Sequence, residues 1–250
     1  MINYTNEIDR ITMFIANYCQ STGYNKLVIG LSGGIDSALS AALAVRAVGS
    51  ENVFGINIPY KLSHPDSAND ALLVAECLNI SFKTIDLSPM TDSYFNTYAV
   101  NADKLRRGNW MARIRMNVIY DYAAERNALV VGTGNRTELM VGYCTQYGDS
   151  ACAFEPIGHL YKTEVWEMAR VLQLPDRVIN KTPTADLWEG QSDEAELGIR
   201  YADLDAILMF LTEGIITQTY TKAQIDKVRK LIKRSEFKRN MPPIPERVLC

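Results

Sequence analysis

Apolar residues recur at helical spacing at Ile8, Ile11, Ile15 and Tyr18, which predicts an opening amphipathic helix. The next apolar segment differs in kind. Lys26-Leu27-Val28-Ile29-Gly30-Leu31 is short and nearly continuous, the pattern of a central parallel strand covered on both faces. A glycine-rich turn follows, then a helix of small residues from Ser37 to about Val48. Residues 52–60 predict a second strand, 61–67 a loop, 70–78 a helix and 81–85 a third strand. After an irregular stretch, residues 110–127 have helical periodicity and 128–132 read as another buried strand. Strands alternating with helices predict an α/β fold, an open parallel sheet with helices on both faces.

Beyond Thr133 the alternation stops. Residues 143–150 and 182–191 are polar, glycine-containing loops, while 162–172, 201–211 and 221–235 are helical. Pro242, Pro243 and Pro245 end regular structure. Neither a repeat nor a convincing linker interrupts the chain, so residues 1–250 are expected to form a single domain with a helical C-terminal part.

Composition narrows the function classes. A net charge of −3 without a long basic run argues against nucleic acid as the main partner. The N-terminus lacks the basic stretch and apolar run of a signal peptide, and polar residues such as Arg46 interrupt every candidate membrane span. A soluble, cytoplasmic protein without membrane association is expected. The five cysteines, Cys19, Cys77, Cys144, Cys152 and Cys250, include no CxxC pair, and only His64 and His159 could join them in a soft metal site. Reduced thiols are expected rather than zinc or disulfides.

Candidate chemistry begins where the first strand ends. Gly30, Leu31, Ser32, Gly33, Gly34, Ile35, Asp36 and Ser37 place two glycines, two hydroxyls and a carboxylate between a strand and a helix. Glycine amides can approach an anion closely, and a helix N-terminus adds N–H donors and a favourable dipole. Asp36 could hold a magnesium ion that bridges phosphate oxygens. The loop is neither a Walker A sequence, lacking Gly-Lys-Ser/Thr, nor a dinucleotide fingerprint, lacking GxGxxG. An ordinary glycine turn is the plain alternative; strand, loop, acid and helix together favour phosphate binding.

Ser32-Gly33-Gly34-Ile35-Asp36-Ser37 resembles the signature of the ATP pyrophosphatases, which break ATP between its α- and β-phosphates. Further segments resemble the NAD synthetase family in order and spacing. They are Gly132-Thr133-Gly134-Asn135-Arg136-Thr137-Glu138, Gly142-Tyr143, Tyr147-Gly148-Asp149, Pro156-Ile157 with Lys162, and Lys181 through Leu187. Gln191 through Glu194, Glu196-Leu197-Gly198, a start at Gly108-Asn109 and the run Ala112 through Met116 also fit. The resemblance runs from about Val28 to Pro243 and implies an adenine nucleotide alpha-hydrolase-like fold.

It also implies roles. Gly30 through Ser37 would hold the ATP phosphates, and Asp36 and Glu138 would ligate Mg2+. Thr133, Lys162 and Thr184 match positions that contact ATP; Arg113 and Lys238 match positions that contact deamido-NAD. Asp36, Glu138 and Lys162 are the catalytic candidates. Gln146, Ala153 and Phe237 occupy the substrate-facing stretch but depart from the lysine, aspartate and histidine common in the family. Arg115, two residues beyond Arg113 on one helix, points elsewhere and reads as a salt-bridge residue.

The implied reaction amidates deamido-NAD to NAD through an adenylated nicotinate carboxylate, releasing AMP and pyrophosphate. The implied partners are ATP, deamido-NAD and ammonia, since a chain of this length has no room for an amidase domain of its own. The family is usually a homodimer. A GMP synthetase-type ATP pyrophosphatase subunit is the nearest enzymatic alternative, and a nucleotide-binding module without turnover an alternative of another class.

Overall fold

The computed structural model describes residues 2–188, 190–217 and 219–246. In chain order the first half runs α1 (Tyr4–Thr22), β1 (Leu27–Gly30), α2 (Ile35–Val48), β2 (Val53–Asn57), α3 (Pro65–Cys77), β3 (Ser81–Thr84), α4 (Ser88–Tyr98), α5 (Lys104–Arg126) and β4 (Leu129–Val131). The second half is helical: α6 (Arg136–Val141), α7 (Lys162–Val171), α8 (Asp176–Ile179), α9 (Asp193–Leu197), α10 (Tyr201–Glu213) and α11 (Lys222–Ser235).

The four strands form one parallel sheet in the order β3-β2-β1-β4. β1 is interior, which its three fully buried residues Leu27, Val28 and Ile29 require. β3 is an edge, which its polar, exposed Ser81, Lys83 and Thr84 suit. Each face of the sheet has its own core. On one, α1, α2 and α7 bring Ile11, Ile15, Leu39, Leu43 and Val165 against Leu27 and Ile29. On the other, α5 brings Met111, Tyr122 and Ala123 against Val28, Ile56 and Val130. A third cluster joins α6, α10 and α11 through Val141, Leu204, Leu208 and Val228, forming the helical C-terminal part. The expected fold class is therefore present, with helices on both faces.

Several boundaries differ from the pattern reading, each for a local reason. α3 begins at Pro65, inside the expected loop 61–67, because His64 caps it by accepting from the Asp66 N–H and proline suits the first helical position. α4 occupies part of the expected irregular stretch; its buried residues are Ser88, Thr91 and Phe95, two of them polar. α5 begins at Lys104 under an Asp103 cap, ahead of the expected start at Trp110, so Gly108 and Asn109 lie inside the helix. Gly108 is small there because a Cβ would lie 3.0 Å from Leu187. Residues 143–150 and the described part of 182–191 contain no helix or strand.

Cys19, Cys77, Cys144 and Cys152 are free thiols; Cys250 lies outside the described residues. Among the described residues no helix is long and apolar enough to cross a membrane.

Candidate active site

The sheet order reverses direction at β1: the chain passes from β1 to β2 on one side, and β4 returns on the other. Ligands of open α/β sheets collect outside the carboxyl ends of strands at such a switch point. The loop after β1 and the turn after β4 meet there.

The first loop is fixed by its own hydroxyls and by its neighbours. Ser37 Oγ donates to the Gly34 carbonyl at 2.9 Å and accepts from the Ser32 N–H at 3.3 Å. Buried Asn57, at the end of β2, donates to the Leu31 carbonyl at 2.6 Å. α2 starts at Ile35, so the N–H groups of its first turn have no intrahelical acceptor and face the loop. The helix is lined with buried Ala38, Leu39, Ala41, Ala42, Leu43 and Ala44, which seat it closely on the sheet.

Gly33 is the tightest point. Its φ is +77°, and a Cβ would lie 2.3 Å from the Ser67 carbonyl of α3. Lys181 braces the same place from the loop that carries Thr184. Its ammonium donates to Asp70 Oδ2 at 2.8 Å and to Ser67 Oγ at 3.2 Å, and approaches the Gly33 carbonyl at 3.4 Å. Gly33→Ala must therefore displace α3 and accept a left-handed backbone costing about 1–2 kcal/mol. It is expected to abolish nucleotide binding in a calorimetric titration while far-UV circular dichroism still reports a folded chain.

The three catalytic candidates converge. Lys162, the first residue of α7, is buried, and its ammonium contacts Asp36 Oδ2 and, at 3.2 Å, Glu138 Oε1. Burial works against the lysine charge, but Asp36 and Glu138 overcome it and hold the ammonium above its usual range. Burial pushes the Glu138 carboxyl up, opposed by Lys162 and reinforced by Asp36 and Asp193. Tyr201 reaches Asp193 at 3.2 Å and lies beneath the Lys162 ammonium, 5.1 Å from ring centre to nitrogen.

Asn135 joins the two sides of the crevice. Its Oδ1 caps α6 by accepting from the Glu138 N–H at 3.0 Å, and its Nδ2 donates to Asp36 Oδ1 at 2.8 Å. Thr137 and Asp205 set Lys162: Thr137 Oγ1 accepts the Lys162 N–H at 2.9 Å, and Asp205 accepts from Thr137 and from the Thr163 N–H. Sequence reading did not single out Asn135, Asp193, Tyr201 or Asp205 as site residues. Asn135 left a signal as a capping residue three positions before Glu138, and Asp193 lies within the matching segment Gln191 through Glu194; Tyr201 and Asp205 left none.

The remaining candidates are more dispersed. Thr133 lies in the turn after β4, and Thr184 Oγ1 accepts from the Asp186 N–H at 3.1 Å. Arg113 Nε donates to the Gln146 carbonyl at 3.2 Å, placing those two side by side. Lys238 donates to the carbonyls of Gly142 and Cys144 at 2.8 and 2.6 Å. The Ala153 side chain packs with the core under α1, and Phe237 is exposed. Arg115 corrects the salt-bridge reading. Its Nε donates to the Ile58 carbonyl at 2.9 Å, and no ion pair involving it occurs among the described residues. Burial lowers its pKa to about 10.

Two carboxylates beside a phosphate loop fit magnesium, which takes hard oxygen ligands and fills its shell with water and substrate phosphates. Among the described residues there is no cluster of three or more His, Cys, Asp or Glu arranged for a metal, so the protein itself would offer this pair.

Known proteins resemble the chain over almost its whole length. The chain is 47% identical to the NH(3)-dependent NAD(+) synthetase of Fusobacterium nucleatum subsp. nucleatum, covering 94% of this chain and 93% of that one. The solved NMN synthetase of Francisella tularensis superposes with a TM-score of 0.90 at 31% identity, covering 98% of this chain and 99% of that one. The NH3-dependent NAD synthetase of Campylobacter jejuni gives 0.85 at 34%, covering 98% and 100%. With the family model described as NAD synthase matching residues 7–242, the chain belongs to the NAD synthase family.

Proposed function

We propose that this chain is a ligase that makes NAD from deamido-NAD, ATP and ammonia. The observation that carries the reading is Lys162 clasped by Asp36 and Glu138 at the carboxyl ends of β1 and β4. The relatives' names supply the product, NAD, and the nitrogen donor; deamido-NAD is what the family resemblance implies.

The protein's work is positioning and charge neutralisation. Amides of the Ser32–Ser37 loop and the start of α2 cradle the ATP phosphates, with Thr133 and Thr184 on the nucleotide. Arg113, Gln146, Ala153, Phe237 and Lys238 are assigned to the deamido-NAD side, where the Arg113–Gln146 bond supports a shared wall. The nicotinate carboxylate attacks the α-phosphorus; the α–β bridging bond breaks and pyrophosphate leaves. Ammonia then attacks the carbonyl carbon of the mixed anhydride, loses a proton and expels AMP. Lys162 sits where it can offset phosphate charge. Magnesium on Asp36 and Glu138 would neutralise charge on the departing pyrophosphate.

A homodimer is part of the proposal, supported by exposed Tyr98, Val100 and Leu105 at the junction of α4 and α5. Incubation with ATP, magnesium, deamido-NAD and ammonium is expected to yield NAD, AMP and pyrophosphate in equal amounts. Nicotinate mononucleotide is expected to react more slowly. Pyrophosphate release only with the mononucleotide would transfer the substrate assignment to it, and no release with either would end the proposal.

A further inference from the structure

Glu155 is a half-buried carboxylate that none of these roles uses. We propose that it is a positioning residue for nucleotide binding: its carboxylate fixes the Gly132-Thr133-Gly134 turn at the end of β4. The inference rests on the reading of that turn as part of the ATP site.

The chain returns beside β4 after the 143–150 loop. The Ala153 N–H donates to the Val130 carbonyl and the Gly132 N–H to the Phe154 carbonyl, both at 2.9 Å, and Val131 and Phe154 form a parallel bridge. This pairing carries Glu155 to the turn, where its Oε2 accepts the Gly134 N–H at 2.9 Å. The glycines there leave room for the carboxylate and its neighbours, since a Cβ on Gly132 would also meet Cys152 Sγ at 2.6 Å and one on Gly134 Leu139 Cδ2 at 3.3 Å. Neither Gly132 nor Gly134 has a positive φ, so neither needs glycine for its backbone conformation. A Cβ on Gly132 would lie 2.3 Å from Glu155 Oε2, and one on Gly134 would lie 3.1 Å from Oε1.

An apolar side chain could fill this space without a charge penalty. Burial pushes the Glu155 carboxyl up to about 7; the Cys152 thiol and Gly134 amide oppose the shift, and Asp149 adds to it. Cys144 also feels its charge, and none of the groups acting on Glu155 is a cation. A folded pKa above the unfolded one means that native stability falls as pH rises from the usual carboxylate range through about 7. A group that weakens the fold at neutral pH while tying down the residue next to Thr133 matches the trade between stability and activity at working sites.

The test uses Glu155→Leu and Glu155→Gln in the full chain, after calorimetry of wild type with ATP. Glu155→Leu is expected to raise the KM for ATP about tenfold, the scale of one lost hydrogen bond to a charged acceptor, with a smaller change in kcat. In wild type, kcat/KM for ATP should fall as pH drops through about 7, because the ionised acceptor is lost. Glu155→Gln should flatten that limb and melt above wild type at pH near 8, a combination that packing alone would not produce. A KM within twofold of wild type in the leucine variant, or an unchanged pH limb in the glutamine variant, overturns the role. Absence of ATP binding by wild type would instead overturn the reading of the site on which it rests.

Discussion

Lys162→Met is expected to destabilise the protein by about 3 kcal/mol at neutral pH and to remove nearly all turnover. The methionine keeps the packing volume of a buried side chain but leaves Asp36 and Glu138 facing each other without their cation. Breaking a buried pair by removing one partner typically costs about 3–5 kcal/mol, and the residual exposure of the two carboxylates places this case at the low end. The sign with pH follows from Glu138. Its folded pKa is already raised by burial and would rise further without Lys162, so the variant regains stability as pH falls and loses it as pH rises. Thermal melts of variant and wild type should therefore converge toward acidic pH. A difference that is constant across the range would show that the pair is not electrostatically coupled.

Asp36→Asn should produce a different division of effects. The change removes one negative charge from a region where Asp36 and Asp193 both push Glu138 upward, and leaves Lys162 balanced by Glu138. The single amide oxygen can accept from Asn135 Nδ2 or from the Lys162 ammonium but not from both, as the two carboxylate oxygens do. The melting temperature should fall, but by less than in Lys162→Met, because Glu138 still faces the ammonium. Turnover should fall by at least about 10²–10³-fold, the usual scale for losing one preorganised electrostatic group in a transition state. Pyrophosphate release assayed beside a thermal melt separates the outcomes: an active Asp36→Asn protein would remove Asp36 from the chemistry. Together the two variants distinguish the lysine's double task, structural and catalytic, from the carboxylate's mainly catalytic one.

Much of the fold was legible because burial leaves a strong mark on interior elements. Residues 27–30 are apolar on both faces, so β1 reads as a central strand without reference to its partners. Likewise α1 shows its buried stripe at Ile8, Ile11 and Ile15. α4 was illegible for the converse reason: buried Ser88 and Thr91 carry no hydrophobic signal, and Phe95 alone sets no period. The cap signals of His64-Pro65 and Asp103 were present, and they mark helix starts that apolar spacing places five and six residues too late.

The candidate site divides along similar lines. Glycines and a first-turn acid beside a strand mark the candidate phosphate loop locally, and the ordered segments after Gly132 extend the resemblance. Nothing in one dimension reveals that Lys181 braces Gly33 across 148 positions, or that Asn135 ties Asp36 to α6 across 99. Contacts of that range become visible only when the sheet has set its strand order. Glu155 belongs to the same class, since its meaning depends on two glycines more than twenty positions earlier.

The adjacency of β1 and β4 has one more consequence. Because these strands are hydrogen-bonded neighbours, the phosphate loop and the turn carrying Thr133 emerge one interstrand spacing apart, about 4.8 Å. The width of the crevice is thus a property of peptide geometry, not of any side chain lining it. Surface helices can drift and the flanking loops can change length without altering that gauge. Variation that adjusts which molecule lies across the crevice is accordingly free to accumulate in the loops, while the distance between its two walls stays constant.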